Sequence, residues 1–397
     1  MKKYLFCLLI WAVYSQAQGI QFEPTINATF AKAKEQKKLV MIECFHPTCP
    51  NCIALEPTLK LPELGKFYNQ FFVSNKLDLS DAAKVKFLNE KKLYIPSFPM
   101  LLFFDANQNL IHAVEAQNSV TDLVSAGEQA RNETKRAGNF KKRYEAGEKT
   151  IDVLLGLGVY SRIVMDTTSN FKAMNDLYAI YPKEELSSAQ SWLITKKAVM
   201  DIDNGFATHW FENMPLAADF STKEGHPDAE KNALSAIIQA NLFSPRASKY
   251  NIGQVEKIQK YMKLVGAGDY ILSNTWQAMV IAAENDNRPD VGTAQLTAIT
   301  ASFKTNPKAL IYVAKFVSDN AKNDHYLFEA KSAISMAFSQ IKENDYPTKA
   351  EYFFELARIN SKEKNAVLAR QNAELALKNA TLAKIDTRRF LDLLKGM

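Results

Sequence analysis

Read for the period of its apolar positions, the chain changes character near residue 135. From Gly19 to about Asn132, short apolar runs alternate with amphipathic stretches. Residues 26–37 repeat their apolar positions at helical spacing, and the apolar run 39–45 that follows reads as a buried strand. A helical stretch then reaches about Tyr68, a second apolar run covers 71–79, and helical spacing returns over 81–92. Two apolar segments, 100–105 and 110–115, flank the polar turn Ala106-Asn107-Gln108-Asn109, the pattern of a β-hairpin. A last amphipathic stretch, 120–132, predicts a helix that covers the sheet. An α/β domain over residues 19–134 is the expectation.

Beyond about Lys135 the strand signal disappears. Segments 189–200, 228–242, 255–265, 293–303 and 309–316 carry helical periodicity. Breaks such as Gly225-His226-Pro227 and Asn285-Asp286-Asn287-Arg288-Pro289 have the composition of short turns between antiparallel helices. Near the end, 350–359 and 366–380 place small residues at helical spacing, faintly similar to one tetratricopeptide unit, without a clean repeat of roughly 34 residues. Residues 135–397 are therefore expected to form an all-α domain, solenoid-like or bundle-like.

At 397 residues the chain is long enough for two or three domains, so a motif near one end leaves most of it to another purpose. With 47% hydrophobic and 23% charged residues it has the makeup of a folded protein with a sizeable core. The net charge of +6 is spread without basic blocks, which gives no nucleic-acid footprint. Residues 1–18 follow the plan of a secretory leader: Lys2 and Lys3, the apolar run 4–13, then Ser15-Gln16-Ala17 for cleavage. That run falls well short of the roughly 20 apolar residues that span a bilayer as a helix. No later segment is apolar enough to span. Export to the periplasm or the exterior follows as an expectation, with no membrane span once the leader is removed.

Cys7 would leave with the leader, and Cys44, Cys49 and Cys52 lie close together, with no cysteine after them. Structural disulfides staple distant parts of a small domain, so this clustering in a long chain points to redox or metal chemistry. Cys49-Pro50-Asn51-Cys52 follows a predicted strand and opens a predicted helix. The free N–H groups and partial positive charge of a helix start stabilise an anion there, and the thiolate is the attacking species in disulfide exchange. Cys49 is the expected nucleophile. Cys52, one turn further in, would resolve the mixed disulfide.

The residues around this pair resemble the thioredoxin superfamily. Glu43, six before Cys49, stands where thioredoxins place a buried acid, and Pro57, five after Cys52, where they kink the active-site helix. Lys76, in Asn75-Lys76-Leu77-Asp78, resembles the lysine that sits near that acid. The segment Ile95-Pro96-Ser97-Phe98-Pro99-Met100 looks like the one that carries the family's cis-proline opposite the cysteines. The resemblance therefore implies a thioredoxin-like fold for 19–134, Pro99 as the cis residue, and Phe98 and Pro99 lining the substrate site. Thr48, Pro50-Asn51 and Met100 depart from the familiar tryptophan, Gly-Pro and threonine, which bears on reduction potential and partner choice. Glu43-Cys44 at the strand end, followed by a long helical extension with Ala189-Gln190-Ser191-Trp192-Leu193 and Asp201-Ile202-Asp203-Asn204, resembles exported Bacteroidetes thioredoxin-like proteins.

Two function classes remain in view. In the first, the chain is an exported thiol-disulfide oxidoreductase acting on protein disulfides or dithiols, with Cys49, Cys52, Pro99, Glu43 and Lys76 as catalytic residues. It would need a redox donor or acceptor protein and no cofactor. In the second, the helical half is a protein-binding scaffold and the thioredoxin-like domain is kept for its shape. A zinc site built from the three cysteines and His46 competes less well, because Cys44 belongs inside the strand and should point away from the helix start. Glu43 could move a proton to or from Cys52 or simply pair with Lys76. His46 could tune the thiolate from its loop or merely be exposed, and His112, His209, His226 and His325 fit no ligand or triad spacing. Trp192, Trp210, Trp276 and Phe353-Phe354 read as core.

Overall fold

The computed structural model describes residues 19–320 and 324–397, so the leader predicted over 1–18 lies outside the described residues. The chain forms two compact units that divide between Trp210 and Phe211.

The first unit is built on a five-stranded sheet: β1 (Phe22–Glu23), β2 (Leu39–Phe45), β3 (Phe72–Asp78), β4 (Met100–Phe104) and β5 (Leu110–Glu115), in the order β1-β3-β2-β4-β5. Central β2 runs parallel to β3, with Glu43 opposite Lys76, and antiparallel to β4, with Cys44 opposite Met100. The expected hairpin is β4–β5. Its turn is held by the Asp105 carboxylate, which accepts the Asn107 and Asn109 N–H groups at 2.9 and 2.8 Å.

Five helices cover the sheet: α1 (Ile26–Gln36), α2 (Pro50–Leu59), α3 (Pro62–Phe71), α4 (Ala82–Glu90) and α5 (Val120–Arg131). Successive strand residues point to opposite faces, and both faces of β2 are buried. Met41 packs with Leu55, Leu59, Leu64 and Leu123 beneath α2, α3 and α5. Val40, Ile42 and Cys44 pack with Phe30 of α1 and Leu88 of α4 on the other side. The single helix expected to run to about Tyr68 is two. Pro62 opens α3, and a proline disfavours helical backbone at the residue before it, so Leu61 is extended with ψ 134°. Strand β1 has only two residues and shows no period in the sequence.

Beyond β5 and α5 all regular structure among the described residues is helical, as the loss of strand signal implies. The helices α6 (Phe140–Glu145), α7 (Ile151–Ile163), α8 (Thr167–Ile180), α9 (Ala189–Ala198) and α10 (Gly205–Glu212) follow. The change of class near residue 135 does not coincide with the edge of the compact unit, because the first of these helices finish the core of the sheet. Ile163 joins the cluster around Phe104 and Ala113. His112 Nδ1 accepts the Ala137 N–H at 3.0 Å, the Tyr160 hydroxyl donates to the Leu110 carbonyl at 3.0 Å, and the Tyr94 N–H donates to the Ile163 carbonyl at 2.8 Å. His112, assigned no role from the sequence, is thus a fastener for the chain that leaves the sheet.

The second unit is all-α among the described residues. Helix pairs Ile271–Asn285 with Pro289–Ser302, Pro307–Asn320 with Leu327–Phe338, and Tyr346–Lys362 with Ala366–Leu382 pack side by side along the chain. Trp276, Phe316, Tyr326, Ile334 and Tyr352 share one core. In the last pair Ala350, Ala376 and Ala380 let the two helices approach closely around Phe390. No helix among the described residues is long and apolar enough to cross a membrane.

Candidate active site

Strand β2 delivers the chain to the site. After Phe45 the segment His46-Pro47-Thr48 turns away from the sheet, and Cys49 caps α2 with extended backbone, φ −76° and ψ 119°. Pro50 occupies the first helical position, where its missing N–H costs nothing. The Cys49 N–H donates to the His46 carbonyl and its carbonyl accepts the Ile53 N–H, both at 3.0 Å. The Cys49 side chain makes no capping bond, so its sulfur is left at the helix start for other partners.

One partner is the segment before β4. The Cys49 thiol approaches the Phe98 carbonyl at 3.8 Å, and the Phe98–Pro99 peptide bond is cis, the conformation the resemblance implies. Phe98 is half-buried and its ring lies 6.4 Å from the His46 ring, so the loop histidine and the segment before β4 flank the same cysteine. His46 Nδ1 is 2.9 Å from the Thr48 hydroxyl, which fixes the ring against its own loop.

Cys52 lies on the inward side of α2 in line with Leu55 and Leu59, and is 4% exposed. Both cysteines are free thiols. Burial pushes the Cys52 thiol up to about 12; the His46 backbone N–H opposes this, while the adjacent Cys49 sulfur and the Glu43 carboxylate add to it. Cys52 therefore needs a base before it can act as a thiolate.

Glu43 lies on the same side of the sheet. It alternates with Met41 on the α2 face of β2 and is 1% exposed. Its carboxyl is raised to about 7: burial lifts it, the Lys76 charge opposes the rise, the charge of Glu56 adds to it, and a weak Lys76 hydrogen bond lowers it slightly. Lys76 Nζ stands 3.4 Å from Glu43 Oε2, an ion pair that leaves that oxygen without a well-formed hydrogen bond. The same ammonium is hydrogen-bonded to Glu56 Oε1 and lies over the rings of Phe45 and Phe22, 5.0 and 5.4 Å from their centres. Glu43 is thus both paired with Lys76 and available to a proton.

Among the six residues named from the sequence, Cys49 and Phe98 meet at the surface of the site beside the buried Pro99, and Cys52, Glu43 and Lys76 lie beneath. Cys44 does not join them. It is fully buried in the core on the opposite face of the sheet, where burial raises its thiol. Glu56 is not among the six. Its only signal in the sequence is a charge just before the helix-interior Pro57, and the partner it finds is twenty residues away on β3.

A half-exposed thiol at a helix start, a buried thiol one turn in and a protonatable acid below form a set suited to disulfide exchange. Compared with curated proteins, the chain has no match. Residues 21–128 match the family described as Thioredoxin, a span that begins before β1 and ends within α5. The chain therefore carries a thioredoxin family domain over residues 21–128, with a CxxC cysteine pair at its site.

Proposed function

We propose that the protein is an exported thiol-disulfide oxidoreductase acting on protein substrates. The observation that carries this reading is the placing of two free thiols at the start of α2, one half-exposed beside Phe98-Pro99 and one buried near a protonatable carboxyl.

In the reducing direction, the Cys49 thiolate attacks a substrate disulfide. A Cys49–substrate bond forms, the substrate S–S bond breaks, and one substrate sulfur leaves as a thiolate. Cys52 gives its proton to Glu43 and attacks the Cys49 sulfur, so the Cys49–Cys52 disulfide forms as the second substrate sulfur leaves. Two electrons have then passed to the substrate, and a dithiol donor protein returns the pair to its reduced state. The oxidising direction runs the same steps backwards. Phe98 offers an apolar contact and Pro99 its neighbouring backbone to an extended peptide, Lys76 is the ion-pair partner of Glu43, and the helical unit selects or positions clients. The leader-like pattern of residues 1–18 supports export, to the periplasm or beyond.

Two variants and one potential test the reading. Cys49→Ser should abolish disulfide exchange in the mature protein, and Cys52→Ser should accumulate mixed disulfides with client proteins. Equilibration in glutathione buffers should reveal a reversible couple. A potential near about −270 mV assigns a reductase and one near about −120 mV an oxidant. Full activity in Cys49→Ser, or a pair with no reversible couple, would move the assignment to the protein-binding scaffold.

A further inference from the structure

Lys76 carries one positive charge and serves two carboxylates at different depths. Glu43 is 1% exposed, Lys76 21% and Glu56 41%, so the three side chains form a line from the core to solvent. The ammonium makes its hydrogen bond at the outer end, to Glu56, and stands at 3.4 Å from the inner carboxylate. The rings of Phe22 and Phe45 confine it laterally. An ammonium has three donors and could satisfy both acids, yet its approach to the inner oxygen is the longer and does not form a well-aligned bond.

We propose that Glu56 is a positioning residue for the buried acid: by holding Lys76 outward it keeps Glu43 short of a full ion pair and able to take a proton from Cys52. The inference rests on the reading of Glu43 as the proton partner of Cys52. The other ionisable groups that face Glu43 are few. Cys52 and Glu56 come from α2, Lys76 from β3, and Cys44 adjoins it on β2, while β4 presents Leu101 opposite it. Of these only Lys76 brings positive charge, so where its ammonium rests controls how readily Glu43 ionises. Glu56 acts in one direction by two routes. It draws the cation away, and its own charge disfavours a second anion nearby.

The test is a carboxyl titration of Glu43 by 13C NMR in the full chain, with the resonance identified by its loss in Glu43→Gln. Glu56→Gln should lower the Glu43 midpoint by about 0.5 to 1 on the pH scale, because Lys76 is then free to bond the inner carboxylate. Lys76→Met should raise it. In a Lys76→Met background the further change Glu56→Gln should move it by less than half as much, since the lysine is the intermediary. An unchanged midpoint in Glu56→Gln, or an equal displacement with and without Lys76, would overturn the proposal.

A second readout is the pH profile of single-turnover exchange, whose acid limb should follow the Glu43 midpoint downward in Glu56→Gln. If exchange is absent in the wild-type protein while the midpoint still moves as stated, the positioning by Glu56 stands and the oxidoreductase reading falls. If exchange occurs and its acid limb ignores the new midpoint, Glu56 has no part in the reaction and the proposal fails.

Discussion

Replacing Glu43 by Gln removes an ionisable group from the core while keeping its shape, and the structure sets the size of the effect. In the unfolded chain this carboxyl titrates near 4.5, whereas burial lifts it to about 7 in the folded state. Between those values the native protein holds a proton that the unfolded chain has released. Stability therefore falls as pH rises through this window and levels off above about 7. A tenfold change in proton affinity is worth about 1.4 kcal/mol, so the contribution changes by roughly 2 to 3 kcal/mol between about pH 5 and pH 8. Gln cannot ionise, so the variant should gain on wild type by about that amount across the interval. Denaturant unfolding of both full-length proteins at a series of pH values provides the comparison, and taking the difference cancels every other titrating group. A wild-type-minus-variant difference that is constant from about pH 5 to pH 8, or that changes in the opposite sense, would refute the account of Glu43 as a buried acid whose pairing with Lys76 is incomplete.

Two further expectations concern how the first unit is fastened. His112 is held down to about 4 by burial and by the Arg136 charge, so its contribution to stability is present above about 6.5 and lost as pH falls toward 4. His112→Ala should cost about 2 to 4 kcal/mol at neutral pH, from the lost ring against Phe103 and the orphaned Ala137 N–H, and should flatten that acid dependence in unfolding titrations. Gly205→Ala should destabilise by about 1 to 3 kcal/mol in thermal or denaturant unfolding, because the added methyl would collide with the Tyr178 ring at the start of α10; an unchanged midpoint would mean that this ring moves freely.

The elements legible in the sequence share a clean period. The apolar run 39–45 coincides with the limits of β2, and the expected α1 and α5 agree with the observed helices to within a residue, since each presents a buried stripe and ends on a cap. Helix α7 has no such signature. Its sequence holds two glycines and is apolar on nearly every side, so no single face stands out. It is helical because Gly156 and Gly158 leave room for Phe140, Met174 and Ala198, neighbours supplied by α6, α8 and α9. A local pattern carries no trace of such close approaches.

The same division runs through the site. Cys49 and Cys52 can be named from their spacing at a predicted strand-to-helix junction, where strand alternation and the helical turn convert sequence distance into position, while Glu43, Lys76 and Pro99 are named by the resemblance to thioredoxins. Which face Cys44 takes follows from that alternation too. The partnership of Lys76 with Glu56, and the depth that lifts Glu43 to about 7, do not. They depend on α2 lying across β2 and β3, which sets two carboxylates on one ammonium and seals one of them from water. Sequence determines which groups a strand or helix presents; only packing decides how far each is removed from solvent and whose charge it meets there, and those two quantities govern where a proton rests.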